Sequence, residues 1–142
     1  MKEGLTPEQR ADLAAYRIER ARQTMDEAHY LYGGGYYNAA VNRLYYACFY
    51  AAIGLLVSKG FNATTHSGVK TILSKEFIRT GLLAIEHGVT FGDLFNKRHT
   101  GDYDDYAFCD ASTIDYLSPK AQAFIDAVET IINHDISESG GN

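Results

Sequence analysis

From about Tyr36 to Lys59 the chain carries two apolar stripes at helical spacing instead of one. Val41, Leu44, Tyr45, Cys48, Ala52, Leu55 and Leu56 form the first stripe, and Tyr46, Phe49, Tyr50, Ile53 and Val57 the second. Between Tyr36 and Ser58 the only charged residue is Arg43. A helix that is apolar on two faces has to be surrounded, so the rest of the chain must supply faces that cover it.

The other segments do supply such faces, one each. Thr6-Pro7-Glu8-Gln9 reads as a capping box with proline at the first helical position. From there Ala14, Ile18, Ala21, Met25, Ala28 and Tyr32 recur at alternating four- and three-residue steps, until Gly33-Gly34-Gly35 stops the pattern. Gly60 ends the doubly striped helix. A third helix is expected from about His66 to Arg79, with Val69, Ile72, Leu73 and Phe77 on one face and Gly81 as its stop. A fourth runs from about Ala84 to Arg98 with Ile85, Val89, Leu94 and Phe95, weakened by Gly88 and Gly92 and expected to end before Gly101. Ser118-Pro119 reads as the opening of the last helix, with Ala121, Phe124, Ile125, Val128, Ile131 and Ile132 as its buried face and a polar tail, Ser137–Asn142, expected to fray. The chain shows no strand alternation, phosphate-binding glycine loop or internal repeat. The expectation is an all-α, antiparallel up-and-down bundle of four to five helices, a single domain over residues 1–142 with its ordered core at about 6–136.

A net charge of −5 argues against a surface built for non-specific nucleic-acid binding, while leaving room for a local basic groove. Cys48 and Cys109 lack metal spacing and read as two buried thiols of a reduced chain. The N-terminal stretch has no apolar core of a signal peptide, and no run approaches the ~18 apolar residues of a membrane span. The expected location is therefore the cytoplasm.

Chemistry concentrates in Lys97-Arg98-His99-Thr100-Gly101-Asp102-Tyr103-Asp104-Asp105-Tyr106, expected to be a helix end followed by an acidic loop. Arg98 reads either as a structural cation, bonded to last-turn carbonyls or to Asp102, Asp104 or Asp105, or as a group that stabilises developing phosphate charge. His99 follows it directly, and neighbours on a helix do not face the same way. Arg43, alone among apolar residues, needs acceptors, which are either a carboxylate, with those of the Asp102–Asp105 loop as candidates, or a phosphate. His66 opens the third helix, as a packing histidine or beside an anion. Tyr103 and Tyr106 read as packing residues or as hydroxyls open to stacking or modification. The aspartates do not match a calcium loop, and His29, His87 and His134 are scattered. Neither a metal nor a cofactor is implied. Tyr30, Tyr32, Tyr36 and Tyr37 surround the triglycine as inter-helix packing or part of a dimer face.

Three blocks resemble one subgroup of the HEPN family across roughly residues 8 to 134: Asn42 through Ala52, Thr65-His66-Ser67-Gly68-Val69, and Arg98 through Asp105. The resemblance implies a four- or five-helix bundle, commonly a homodimer, with members similar to ribonuclease toxins and others paired with a minimal nucleotidyltransferase antitoxin. In the active ribonucleases of that family a histidine follows an arginine after four to six residues, and two such motifs meet across the dimer to cut RNA without metal. Here Arg98 matches the arginine and His99 the polar residue after it. Asp102, Tyr103 and Asp104 stand where the histidine belongs, and the next histidine is His134.

The leading expectation is a non-catalytic or weakly catalytic dimer that partners a nucleotidyltransferase in a toxin–antitoxin or stress-response pair. Arg43, His66, Arg98, Asp102 and Tyr103 would line its nucleotide- or RNA-related cleft, with Tyr103 and Tyr106 as acceptors of modification. The alternatives are a metal-independent endoribonuclease using Arg98 with His99 or Tyr103, and a nucleotide or small-ligand binding module.

Overall fold

The computed structural model describes residues 4–103 and 109–140, with side chains over 4–98 and 109–134. Five α-helices follow one another: α1 (Pro7–Gly33), α2 (Tyr37–Ser58), α3 (His66–Ile72), α4 (Ile85–Tyr103) and α5 (Ala111–Gly140). A π-helical turn, Leu73–Ile78, extends α3. Among the described residues there is no strand.

The capping box forms as the sequence predicts. Thr6 accepts from the Gln9 N–H at 3.1 Å, and the Gln9 side chain accepts from the Thr6 N–H at 2.9 Å. Gly35, Gly60 and Gly81 take left-handed φ angles of 83°, 83° and 85° and make the turns that part the helices. Gly54 of α2 meets Ala14 and Arg17, while Tyr32 meets Tyr37 at 5.8 Å, so α1 and α2 run antiparallel. Arg22 reaches Asp126 at 2.7 Å and also Glu129, His29 reaches Ser118 at 3.0 Å, and Tyr32 donates to Asp115 at 2.6 Å. That falling series sets α5 antiparallel to α1.

α2 is the central element and touches α1, α3, α4 and α5. By length and a mean hydropathy of 1.4 it could cross a membrane, contrary to the expectation that no run approaches one. Its neighbours in the bundle account for that apolarity. The first stripe is fully buried, but Tyr46, Phe49, Tyr50, Ile53 and Val57 of the second remain half-buried. Around the triglycine, Tyr30 and Tyr36 are exposed, while Tyr32 and Tyr37 pack on the core.

Three helix boundaries differ from expectation. α4 does not stop before Gly101 but continues to Tyr103. Glycine in a helix costs only about 1 kcal/mol relative to alanine, and it ends a helix only when it takes up the left-handed cap. α5 begins at Ala111, with Pro119 inside it. Asp110 supplies the earlier start, its carboxylate accepting from the Thr113 N–H at 3.1 Å. Pro119 then merely withholds one N–H from the Asp115 carbonyl. The tail expected to fray is helical in its backbone to Gly140. In the π-turn the Arg79 N–H bonds the Ser74 carbonyl, five residues back, at 2.9 Å.

Candidate functional site

Tyr45 stands at the centre of the site. It is fully buried, and a buried phenol needs a partner for its hydroxyl. That partner is Nδ1 of His66, 2.8 Å away. His66 is the first residue of α3, a start fixed by Thr65, whose side chain accepts from the Gly68 N–H at 2.9 Å. The imidazole stacks on Phe49 with centroids 4.3 Å apart and meets Tyr46 edge-on at 5.7 Å. From α4, the Arg98 guanidinium lies 5.3 Å from the Tyr45 ring centre and 6.0 Å from that of Phe95. The Arg43 guanidinium lies 5.0 Å from the Tyr46 ring. Arg43, Tyr46, His66, Tyr45 and Arg98 thus form one run of contacts between cations and rings.

The electrostatics follow from burial and from Arg98. Burial first, and the Arg98 charge second, hold His66 below the ordinary histidine range, so its ring is neutral at pH 7. Burial drives the Tyr45 phenol upward, further than Arg98 draws it down. Tyr45 therefore keeps its proton, and its chemical part is to fix one nitrogen of His66.

Arg43, Lys97 and Arg98 line one cleft of about 390 Å³, with Leu31, Asn38 and Cys109 in its other walls. The Asn38 side chain accepts from the Cys109 N–H at 2.6 Å, tying the chain ahead of α5 to the start of α2. Cys109 is a half-buried free thiol whose pKa burial raises, with Lys97 opposing. Cys48 is a free thiol and completely buried.

The carboxylate expected opposite Arg43 is present, and α1 supplies it. Arg43 pairs with Glu27 of α1 at 3.5 Å and donates to Asn42 at 3.0 Å. It stands near the start of α2, across the hairpin from the end of α1, so Glu27 lies close. His99, Asp102 and Tyr103 occupy the last turns of the α4 backbone. Asp104, Asp105 and Tyr106 fall outside the described residues, and with them the expected pairs to Arg98. Sequence reasoning treated Tyr45, Tyr46 and Phe49 as packing residues and passed over Asn38. The signal available was the tyrosine hydroxyl, which a core position obliges to find a partner.

The HEPN domain model matches residues 14–133. Over 117 residues the chain is 37% identical to a "UPF0332 protein" of Thermotoga maritima, covering 82% of this chain and 89% of that one. It is 35% identical over 109 residues to "Putative toxin MJ0142" of Methanocaldococcus jannaschii, covering 77% and 74%. It is also 30% identical over 131 residues to "Putative toxin MJ0605" of the same archaeon, covering 91% and 95%.

Proposed function

The chain belongs to the HEPN domain family, and from that premise we propose that it is the toxin-type half of a two-protein pair. In this reading it is a cytoplasmic homodimer whose Arg98 cleft takes the phosphate of an RNA or nucleotide. Its partner is a minimal nucleotidyltransferase, with Tyr103 or Tyr106 as the group modified. The observation that carries the reading is the convergence of Arg43, Lys97 and Arg98 on one cleft in a chain of net charge −5. Guanidinium groups are suited to bidentate phosphate contacts. The names of the two archaeal relatives support the toxin side of the pair.

A second reading, metal-independent RNA cleavage, draws support from His66. A neutral imidazole near Arg98 whose Nδ1–H is donated to the Tyr45 oxygen leaves Nε2 without a proton, as a general base requires. Nε2 would take the proton of a ribose 2′-hydroxyl as that oxygen attacks phosphorus and the bond to the 5′-oxygen breaks, the leaving 5′-oxygen taking its proton from water. Arg98 would stabilise the charge that develops on the phosphoryl oxygens.

The test is binding and cleavage of a labelled RNA by purified protein in the presence of chelator, beside Arg98→Ala and His66→Ala. Tenfold or greater loss of binding in Arg98→Ala, without cleavage by the wild type, is expected for the binding partner. Cleavage that both substitutions abolish would favour the nuclease. Undiminished binding by Arg98→Ala would remove the cleft reading. A short nucleotidyltransferase in the neighbouring reading frame that co-purifies with this chain would support the pair.

A further inference from the structure

A second groove, of about 490 Å³, runs along the exposed side of α3 and the π-turn. Three cations line it, Lys70, Lys75 and Arg79, interleaved with the hydroxyls of Ser67, Thr71 and Ser74. Among the described lining residues there is no carboxylate. Phe95 of α4 forms its inner wall, with the Lys70 ammonium 5.2 Å from the ring centre. The same Phe95 ring is the one that Arg98 approaches at 6.0 Å. One half-buried aromatic side chain thus stands between the groove and the Arg98 site.

We propose that this groove is a track for the backbone of single-stranded RNA, carrying the chain past Phe95 to the phosphate held at Arg98. The inference rests on the phosphate-binding reading of Arg98 and extends it from a single phosphate to an oligonucleotide. From Lys70 to Arg79 is nine residues, roughly 13 Å of helix, longer than one phosphate group can use. Lysine, arginine and hydroxyl donors are the groups that bind phosphate oxygens without regard to base. A cationic groove with an aromatic ring in its wall is the arrangement that holds single strands, backbone on the charges and a base on the ring. The excess of acid elsewhere on the molecule confines a polyanion to this strip. The π-turn contributes by geometry: with hydrogen bonds to the fifth residue instead of the fourth, Lys75 and Arg79 share one side of a widened turn.

Anisotropy of a 5′-labelled uridine 12-mer, measured across a salt series, tests the track. The arms are the wild type, the triple variant Lys70→Ala/Lys75→Ala/Arg79→Ala, and Arg98→Ala, with circular dichroism confirming that each is folded. The expected result is about tenfold or greater loss of affinity in the triple variant at low salt. The slope of log affinity against log salt should also fall by about 2, since each phosphate neutralised on a single strand contributes roughly 0.7. Unchanged affinity and slope in the triple variant, with loss in Arg98→Ala, would overturn the track and leave the Arg98 reading standing. No binding by the wild type would overturn both. If the triple variant binds RNA as the wild type does but no longer binds polyglutamate, the groove serves an acidic protein instead, and the RNA track falls.

Discussion

On one side of α2, Leu44, Ala47, Cys48, Ala51, Ala52 and Leu55 are closed off from solvent completely, whereas on the other Tyr46, Phe49, Tyr50, Ile53 and Val57 stay half-exposed. Both sets are apolar at helical spacing, and sequence alone ranks them equally. What separates them is shape and charge distribution. Alanine, cysteine and leucine offer only area to be covered. Aromatic rings also offer faces to cations, and Arg20 and Arg43 lie against Tyr50 and Tyr46 at 5.4 and 5.0 Å. One side of the helix holds the bundle together, and the other assembles charged groups at its surface.

The largest expected effect divides these two sides. Leu44→Ala, at a position with no exposure, should cost about 2–5 kcal/mol in urea unfolding, and Phe49→Ala, half-exposed, about half as much. Equal costs would make the aromatic side core and break the comparison. Gly54→Ala examines the tight side from the opposite direction. A methyl there would stand 3.1 Å from Cβ of Arg17 and 3.2 Å from the Ala14 carbonyl oxygen. Backbone cannot yield as a side-chain tip can, so a loss of about 1–3 kcal/mol is expected by the same measurement. Unchanged stability would mean that α1 and α2 slide apart freely.

At Tyr45, fully buried yet in contact with Tyr46 and Phe49 of the aromatic side, Tyr45→Phe keeps the volume and removes only the hydroxyl bonded to His66. The expected cost is about 1 kcal/mol. The His66 titration, followed by NMR, should still have its midpoint below the ordinary histidine value, because burial and Arg98 set it there. The smallest effect is the pH dependence from His66 itself. Its folded form binds a proton at lower pH than its unfolded form does. The unfolded state therefore holds more protons as pH falls below about 6.5. Stability should decline across that window and be level above it, and a His66→Asn variant should decline less between pH 7.5 and 5.5. A steeper fall in the variant would contradict the direction of the His66 shift.

The first stripe of α2, the stripe of α1 and the Thr6 capping box were legible because each depends on side chains a few residues apart on one helix. The Gly101 and Pro119 boundaries were not, because glycine and proline only lower the local preference for helix, and at the start of α5 the Asp110 cap outweighed Pro119. Of the site, Arg43, His66 and Arg98 could be singled out as polar residues among apolar ones. The link from Arg98 through Tyr45 to His66 joins three helices. No spacing along the chain encodes it.

Cys109 has a practical consequence. Of the two thiols in the chain, Cys48 is sealed inside and Cys109 stands half-open in the wall of the Arg98 cleft. A fluorophore coupled to the unmodified protein at mildly alkaline pH would settle on a single position, beside the cleft. The molecule therefore carries its own attachment point for an optical reporter of what enters.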